Sequence, residues 1–323
     1  MLILKAEPPI IAPAIAAGTP VILKPSEKTP LTALKFAEVL YASGLPAPMF
    51  SVLLGPSEDV AEPLVRHPAV DLVAFTGSVP IGKKIASVAG YKRLVLELGG
   101  NDPLIILNDA DLDLAVTLAA EGSYRNSGQR CTAVKRILVQ AGVAREFTER
   151  LVKKTGDYQC GDPMDEQTRV GTVIDEKSAI YLETVVREAA SAGAKVLIGG
   201  ERSGALLQPT VIADVPRDCR MVVCESFGPL APILEVRDLD DALEVANSTA
   251  YGLSSSVVTS SLPHAIKAIK SLRCGTVNIN EVPGFRTENS PFGGIKDSGL
   301  GVKEGVIEAM KSFSYVKTFS LPW

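Results

Sequence analysis

From residue 20 to 98, short apolar runs rich in β-branched residues alternate with stretches of helical period. VILK (21–24) reads as a strand. The stretch from Thr29 to Ser43, introduced by a Thr-Pro pair, reads as a helix. FSVLLG (50–55) is a second strand, 57–66 a helix, and VDLVAFTG (70–77) a third strand. A helix then starts at Ser78, and LVLELGG (94–100) is a fourth strand. Alternation at this spacing predicts βαβ units, in which parallel strands share one sheet and helices cover its faces.

Beyond Gly100 the alternation returns with PLIIL, a helix across 111–125, KRILVQ, a helix near 143–154, a longer one near 176–192, and AKVLIGG. The fold class is therefore α/β, with a Rossmann-like domain over 1–98, a second α/β domain over 99–310, and Gly99-Gly100 at the joint. The closing SFSYVKTFSLPW alternates like a strand, so 311–323 is expected to be a strand or tail, either joining another sheet or packing on its own domain. No period of 20 to 50 residues recurs, which excludes solenoids. At the start, Lys5, Glu7 and Pro8-Pro9 break the apolar run and no basic segment precedes it. Neither a signal peptide nor a spanning helix is expected, and the cytoplasm is the expected location.

Composition narrows the function. With 46% hydrophobic and 22% charged residues among 323, the chain is too apolar for a disordered protein. A net charge of −4 gives no electrostatic drive toward nucleic acid or an anionic membrane, so any anionic ligand must be held by local cations. Five cysteines (Cys131, Cys160, Cys219, Cys224, Cys274) without a CxxC pair suit a reducing compartment better than a disulfide framework. The two histidines, His67 and His264, have no ligand-like spacing, and no metal site is expected.

Three stretches carry candidate chemistry. GSVPIGKK (77–84) falls short of a phosphate loop because Lys84 stands where a magnesium-binding hydroxyl is needed. What remains is Gly77 and a helix opening at Ser78, whose free N–H groups suit a pyrophosphate without metal or else form a plain capped helix. In SYRNSGQRCTAVKR (123–136), Cys131 follows Arg130. A guanidinium beside a thiol favours the thiolate, though a lone cysteine also serves as a small buried hydrophobe. Glu97 ends the apolar strand of LELGG, where a partly desolvated carboxylate gains basicity.

LELGGNDPLII, the GQRC block, CESFGP (224–229) and PFGGIKDSG (291–299) occur in one order, and together they resemble the aldehyde dehydrogenase superfamily from about residue 11 onward. The resemblance implies that Cys131 attacks an aldehyde, that the resulting thiohemiacetal yields hydride to a nicotinamide cofactor, and that Glu97 activates the water releasing the acid. It implies that Lys24 and Glu27 meet the adenosine ribose, that Gly77 and Ser78 face the pyrophosphate, and that Glu225 and Phe227 hold the nicotinamide ribose and ring. A carboxylate at 27 repels a 2′-phosphate, which favours NAD over NADP.

Arg130, Arg286 and Thr132 are the implied substrate residues, and two guanidiniums match a tetrahedral oxyanion. The expected reaction is oxidation of phosphonoacetaldehyde to phosphonoacetate. The alternatives are a non-phosphorylating glyceraldehyde-3-phosphate or a lactaldehyde-type enzyme. The resemblance also implies a homo-oligomer of dimer or tetramer type. MLILKAEPPI lacks the oxyanion-holding Asn that the family carries near this point, so an amino-terminally truncated, inactive remnant is a further expectation. With it goes an open sheet edge beside residues 21–24.

Overall fold

The structure, a computed structural model, describes residues 1–4, 8–302 and 304–322. Expectations resting on Lys5, Glu7 and Trp323 lie outside the described residues. The chain forms two compact units, Met1–Leu98 with Arg286–Gly293 and Ser298–Trp323, and Gly99–Phe285 with Gly294–Asp297. Residues 286–293 and 298–310, which the sequence reading groups with the second domain, thus pack in the first unit. There Phe292 and Glu304 exchange backbone hydrogen bonds and Leu98 N–H donates to the Ser298 carbonyl.

The first unit is built on strands β1 (Leu2–Leu4), β2 (Val21–Lys24), β3 (Phe50–Val52), β4 (Leu72–Thr76) and β5 (Arg93–Glu97). They form a parallel sheet in the order β3-β2-β1-β4-β5. Helices α1 (Pro8–Ala16), α2 (Leu31–Ala42), α3 (Ser57–Arg66) and α4 (Val79–Val88) connect them. Leu72, Ala74 and Val95 pack into a core with Ile10, Ile11 and Phe50, while Val73, Phe75 and Leu96 pack into another with Val65 and Ile85. Burial on both faces is why these strands read as continuous apolar runs.

The expected open edge beside residues 21–24 is corrected by this sheet. β2 is an interior strand, paired with β3 on one side and with β1 on the other, in the register Leu2↔Ile22. The first residues supply an extended backbone that satisfies its hydrogen-bonding groups.

The second unit contains β6 (Asp102–Ile106), β7 (Val134–Gln140), β8 (Lys195–Ile198), a hairpin of β9 (Arg202–Ser203) and β10 (Leu206–Leu207), β11 (Thr210–Ala213), β12 (Leu230–Val236), β13 (Ser254–Val258) and β14 (Thr276–Ile279). Seven of these form one sheet in the order β14-β13-β6-β7-β12-β11-β8, parallel except for antiparallel β8. Its helices are α5 (Leu112–Tyr124), α6 (Ala141–Gly156), α7 (Glu176–Ser191), α8 (Arg220–Val223), α9 (Leu239–Asn247) and α10 (Leu262–Ser271). Asp111, Asp175, Asp238 and Ser261 accept backbone N–H bonds at the starts of α5, α7, α9 and α10, which fixes where those helices begin.

A last helix, α11 (Val306–Ser312), returns to the first unit, where Phe313 is buried and its carbonyl accepts from the Thr19 hydroxyl. Residues 311 and 312 complete α11. Residues 315–322 are exposed and, among the described residues, pair with no strand of this chain.

Candidate active site

Each unit carries its own cluster of polar side chains. In the first, Lys24 at the end of β2 is buried, and its ammonium donates to the Pro25 carbonyl (3.0 Å), to Glu27 Oε1 (2.6 Å) and to the Ser57 hydroxyl (2.8 Å). Ser57 donates in turn to the same Glu27 oxygen at 2.6 Å. The Lys24 ammonium, followed by the Ser57 hydroxyl, holds the Glu27 carboxyl well below the usual carboxylate range. Lys24 and Glu27 are thus brought together. Ser57 was missed, because a serine opening a helix carries no signal of its own.

These residues line a cavity of about 470 Å³ with Phe75, Ser78 and Ile81 among its walls. Gly77 ends the strand under it, and a Cβ there would lie 2.3 Å from the Phe75 ring. Ser78 is the N-cap of α4 and makes no capping bond with its side chain. The cavity offers a carboxylate for hydroxyls, an apolar wall, and a helix start with free N–H groups, so its residues fit a dinucleotide. Gly77 N–H donates to the Glu97 carbonyl at 3.1 Å, which ties this turn to the end of β5. The Glu97 side chain is buried.

In the second unit, Cys131 follows an unusual turn. Asn126, Ser127 and Gly128 have φ of 55°, 54° and 68°, three consecutive left-handed residues. Side chains hold the turn: Ser127 Oγ donates to the Gly171 carbonyl at 2.9 Å, and Gln129 Oε1 accepts from Ile174 N–H at 2.7 Å. At Gly128 a Cβ would come within 2.1 Å of the Gly228 carbonyl oxygen. Gly128→Ala is therefore expected to cost on the order of 2 kcal/mol or more, read as a lower urea midpoint.

Arg130 is half-buried, and its Nε makes no hydrogen bond among the described residues. Burial, followed by repulsion from Arg125, lowers its pKa from the ordinary guanidinium value. Thr132 lies against Gly284, where a Cβ would come 2.4 Å from Thr132 Oγ1. Glu225 Oε1 accepts from Lys135 Nζ at 2.7 Å and from Gly100 N–H at 3.2 Å, and the Lys135 ammonium lies 5.4 Å from the centre of the Phe227 ring. Lys135 was missed, since one lysine in an apolar strand reads as a solvent-facing position.

Arg286 is in the first unit, where Nη1 donates to the buried Glu304 carboxylate at 2.7 Å and the guanidinium lies 4.1 Å from the centre of the Phe292 ring. That engagement ties up one edge and one face of a group expected to bind substrate. Sequence reasoning missed Glu304.

An α/β scaffold with a dinucleotide-sized cavity in one unit and a cysteine on a constrained loop in the other has the features of a nicotinamide-dependent oxidoreductase. The profile of the aldehyde dehydrogenase family matches residues 9–319, and the chain belongs to that family. It is 38% identical over 308 residues to a sulfoacetaldehyde dehydrogenase of Neptuniibacter caesariensis, covering 95% of this chain and 67% of that protein. It is also 38% identical over 312 residues to a lactaldehyde dehydrogenase of Methanococcus vannielii, with the same two coverages. A solved glyceraldehyde-3-phosphate dehydrogenase, GapN from Methanocaldococcus jannaschii complexed with NADP, superposes with a TM-score of 0.93 at 38% identity, covering 98% of this chain and 72% of that one. Among the described residues, no helix is long and apolar enough to cross a membrane.

Proposed function

We propose that this chain oxidises a small anionic aldehyde to its carboxylic acid with NAD, phosphonoacetaldehyde giving phosphonoacetate being the leading substrate. Cys131 supplies the thiolate that bonds to the aldehyde carbon, and its backbone is fixed by the left-handed turn before it. A bound nicotinamide supplies the acceptor for the hydride that leaves that carbon. Glu97 takes the proton of the water that breaks the thioester and frees the Cys131 sulfur. In total, aldehyde and water give a carboxylate, a hydride and two protons.

Lys24 and Glu27 hold the adenosine ribose hydroxyls, with Gly77 and Ser78 at the pyrophosphate and Glu225 and Phe227 at the nicotinamide ribose and ring. A carboxylate held ionised at Glu27 disfavours a 2′-phosphate, which supports NAD over NADP.

The observation that carries the substrate class is Arg130. A half-buried guanidinium next to Cys131, with an unbonded Nε and a second guanidinium repelling it, is stabilised by an anion in its place of need. A relative named for sulfoacetaldehyde supports a tetrahedral oxyanion beside the carbonyl. A relative named for lactaldehyde and a neighbour named for glyceraldehyde 3-phosphate support the alternative, in which a 2-hydroxyl is recognised.

The test compares kcat/KM for phosphonoacetaldehyde, sulfoacetaldehyde, glyceraldehyde 3-phosphate and lactaldehyde with NAD and NADP. Arg130→Leu is expected to lower the values for the charged aldehydes by roughly 10- to 100-fold and to leave lactaldehyde within about threefold. Best turnover of uncharged lactaldehyde overturns the anionic reading. No turnover of any of the four overturns the dehydrogenase reading for this chain.

A further inference from the structure

Lys135 and Arg136 are consecutive residues of β7, yet both are buried, at 2% and 1% exposure. Consecutive strand residues ordinarily face opposite sides of a sheet. Here the register between β6 and β7 slips: Asp102 pairs with Val134, but Pro103 pairs with Arg136, leaving Lys135 as the extra residue of a β-bulge. Pro103 has no N–H to give to the ladder, which is where an irregularity is tolerated. A bulge re-aims a side chain, and this one aims the ammonium of Lys135 at the Gly100 carbonyl (2.8 Å), the Cys131 carbonyl (2.8 Å) and Glu225 Oε1 (2.7 Å). All three ammonium protons are used.

Those acceptors come from three separate stretches of chain: the Gly-Gly turn after Glu97, the loop of the proposed nucleophile, and the CESFGP block. Glu225 gives its other oxygen no freedom to retreat, because Gly99 leaves room only for a hydrogen where a Cβ would lie 2.1 Å from Glu225 Oε2. Covalent geometry keeps the Cys131 sulfur within about 7 Å of the ammonium that holds its carbonyl. We infer that Lys135 is a positioning residue, which fixes the Cys131 backbone and the Glu225 carboxylate with one buried cation and so sets both thiol reactivity and the pose of the group that meets the cofactor. Its effect on Cys131 follows from the geometry alone. Its effect on cofactor rests on the proposed role of Glu225.

The other charged groups of this region, Asp102, Arg136 and Arg130, are left in place in the test. The rate at which iodoacetamide alkylates Cys131 is followed from pH 6 to 10 by mass spectrometry, with exposed Cys224 as the internal reference, and NAD binding is followed by calorimetry. Folding is checked by circular dichroism.

Lys135→Met removes the cation and leaves the Glu225 charge. Cys131 alkylation at pH 7.5 is expected to slow about tenfold, with its midpoint up by about one pH unit, and NAD binding to weaken at least about tenfold. Lys135→Met combined with Glu225→Gln removes the pair whole, and the midpoint is expected to return to within about 0.3 unit of the parent. A role in packing alone has no reason to restore it. A folded Lys135→Met protein with alkylation and NAD binding within twofold of the parent overturns the inference. Where Lys135→Met fails to fold, Glu225→Gln alone leaves an uncompensated cation and is expected to lower the midpoint, and an unchanged midpoint overturns the inference. A parent chain that binds no NAD removes the cofactor role of Glu225, while the alkylation results still judge Lys135.

Discussion

Cys131→Ser is expected to reduce aldehyde-dependent NAD reduction by about a thousandfold or more, with no loss of fold. At neutral pH a thiol is a few per cent thiolate before any perturbation, whereas a serine hydroxyl needs a base to take its proton. A histidine is the usual base, and the chain has only two. His67 is in the first unit, where Nδ1 accepts from Ala69 N–H, and His264 opens α10 with Nδ1 4.0 Å from Asp109. The substitution removes one polarisable atom and leaves the Cys131 carbonyl on Lys135, so circular dichroism and the urea midpoint are expected to stay close to those of the parent. Steady-state NAD reduction with the best aldehyde provides the measurement. Retention of more than a tenth of the parent rate would transfer the nucleophile to another residue.

The parts of the fold that were legible are those where one physical cause acts alone. VILK, LVAFT and RILVQ are buried on both faces, so their hydrophobicity announces them. The helices at 57–66 and 176–191 combine period with clear starts. β13 was hidden because it is SSSVV, a buried strand in which the hydroxyls of Ser255 and Ser256 are satisfied internally. Ser254 N–H donates to Asp102 Oδ1, Ser255 Oγ to the Thr276 carbonyl and Ser256 Oγ to the Glu281 carbonyl, so a buried strand carries a polar face. The tail is a different case, since a strand-like alternation becomes a strand only where an edge receives it, in the same chain or in another.

The candidate site shows the same division. Cys131 and Glu97 were singled out by the order of the motif blocks, and Lys24 and Glu27 by the family resemblance alone. Lys135 depends on a bulge, and a register slip of one residue leaves no trace in hydrophobic pattern. Arg286 was read as a substrate group from the family resemblance, which says nothing of its partner in the chain. Its ion pair is with Glu304, 18 residues further on, and only the returning chain brings them into contact. Ser57 lies 33 residues from Lys24 and joins it for the same reason.

Asp102 gives the second large effect, in stability rather than activity. Its carboxyl is wholly buried at the start of β6. Burial pushes it up to about 8, outweighing the pull of Lys135, the Ser254 N–H and Arg136, and Glu225 adds to the rise. Oδ1 accepts from Ser254 N–H at 3.1 Å, while Oδ2 has no hydrogen-bond partner among the described residues. The folded chain therefore keeps a proton that the unfolded chain gives up near pH 4. The contribution of this group to stability is full below that value and is lost as pH rises through about 8, with a limiting slope of about 1.4 kcal/mol per pH unit between. The depressed carboxyls of Glu27 and Asp241 act with the opposite sign and at lower pH, and the Met1 amino group, lowered by burial, is common to the parent and an Asp102 variant, so the difference between the two over pH 5 to 8 reports Asp102. Asp102→Asn keeps the oxygen that meets Ser254 and removes the ionisation. Urea unfolding at pH 5, 6, 7, 8 and 9 is expected to show the variant gaining on the parent steadily up to pH 8 and levelling beyond it. Parallel curves over that range would mean that Asp102 is ionised in the folded chain throughout, with Lys135 and Arg136 together outweighing the burial.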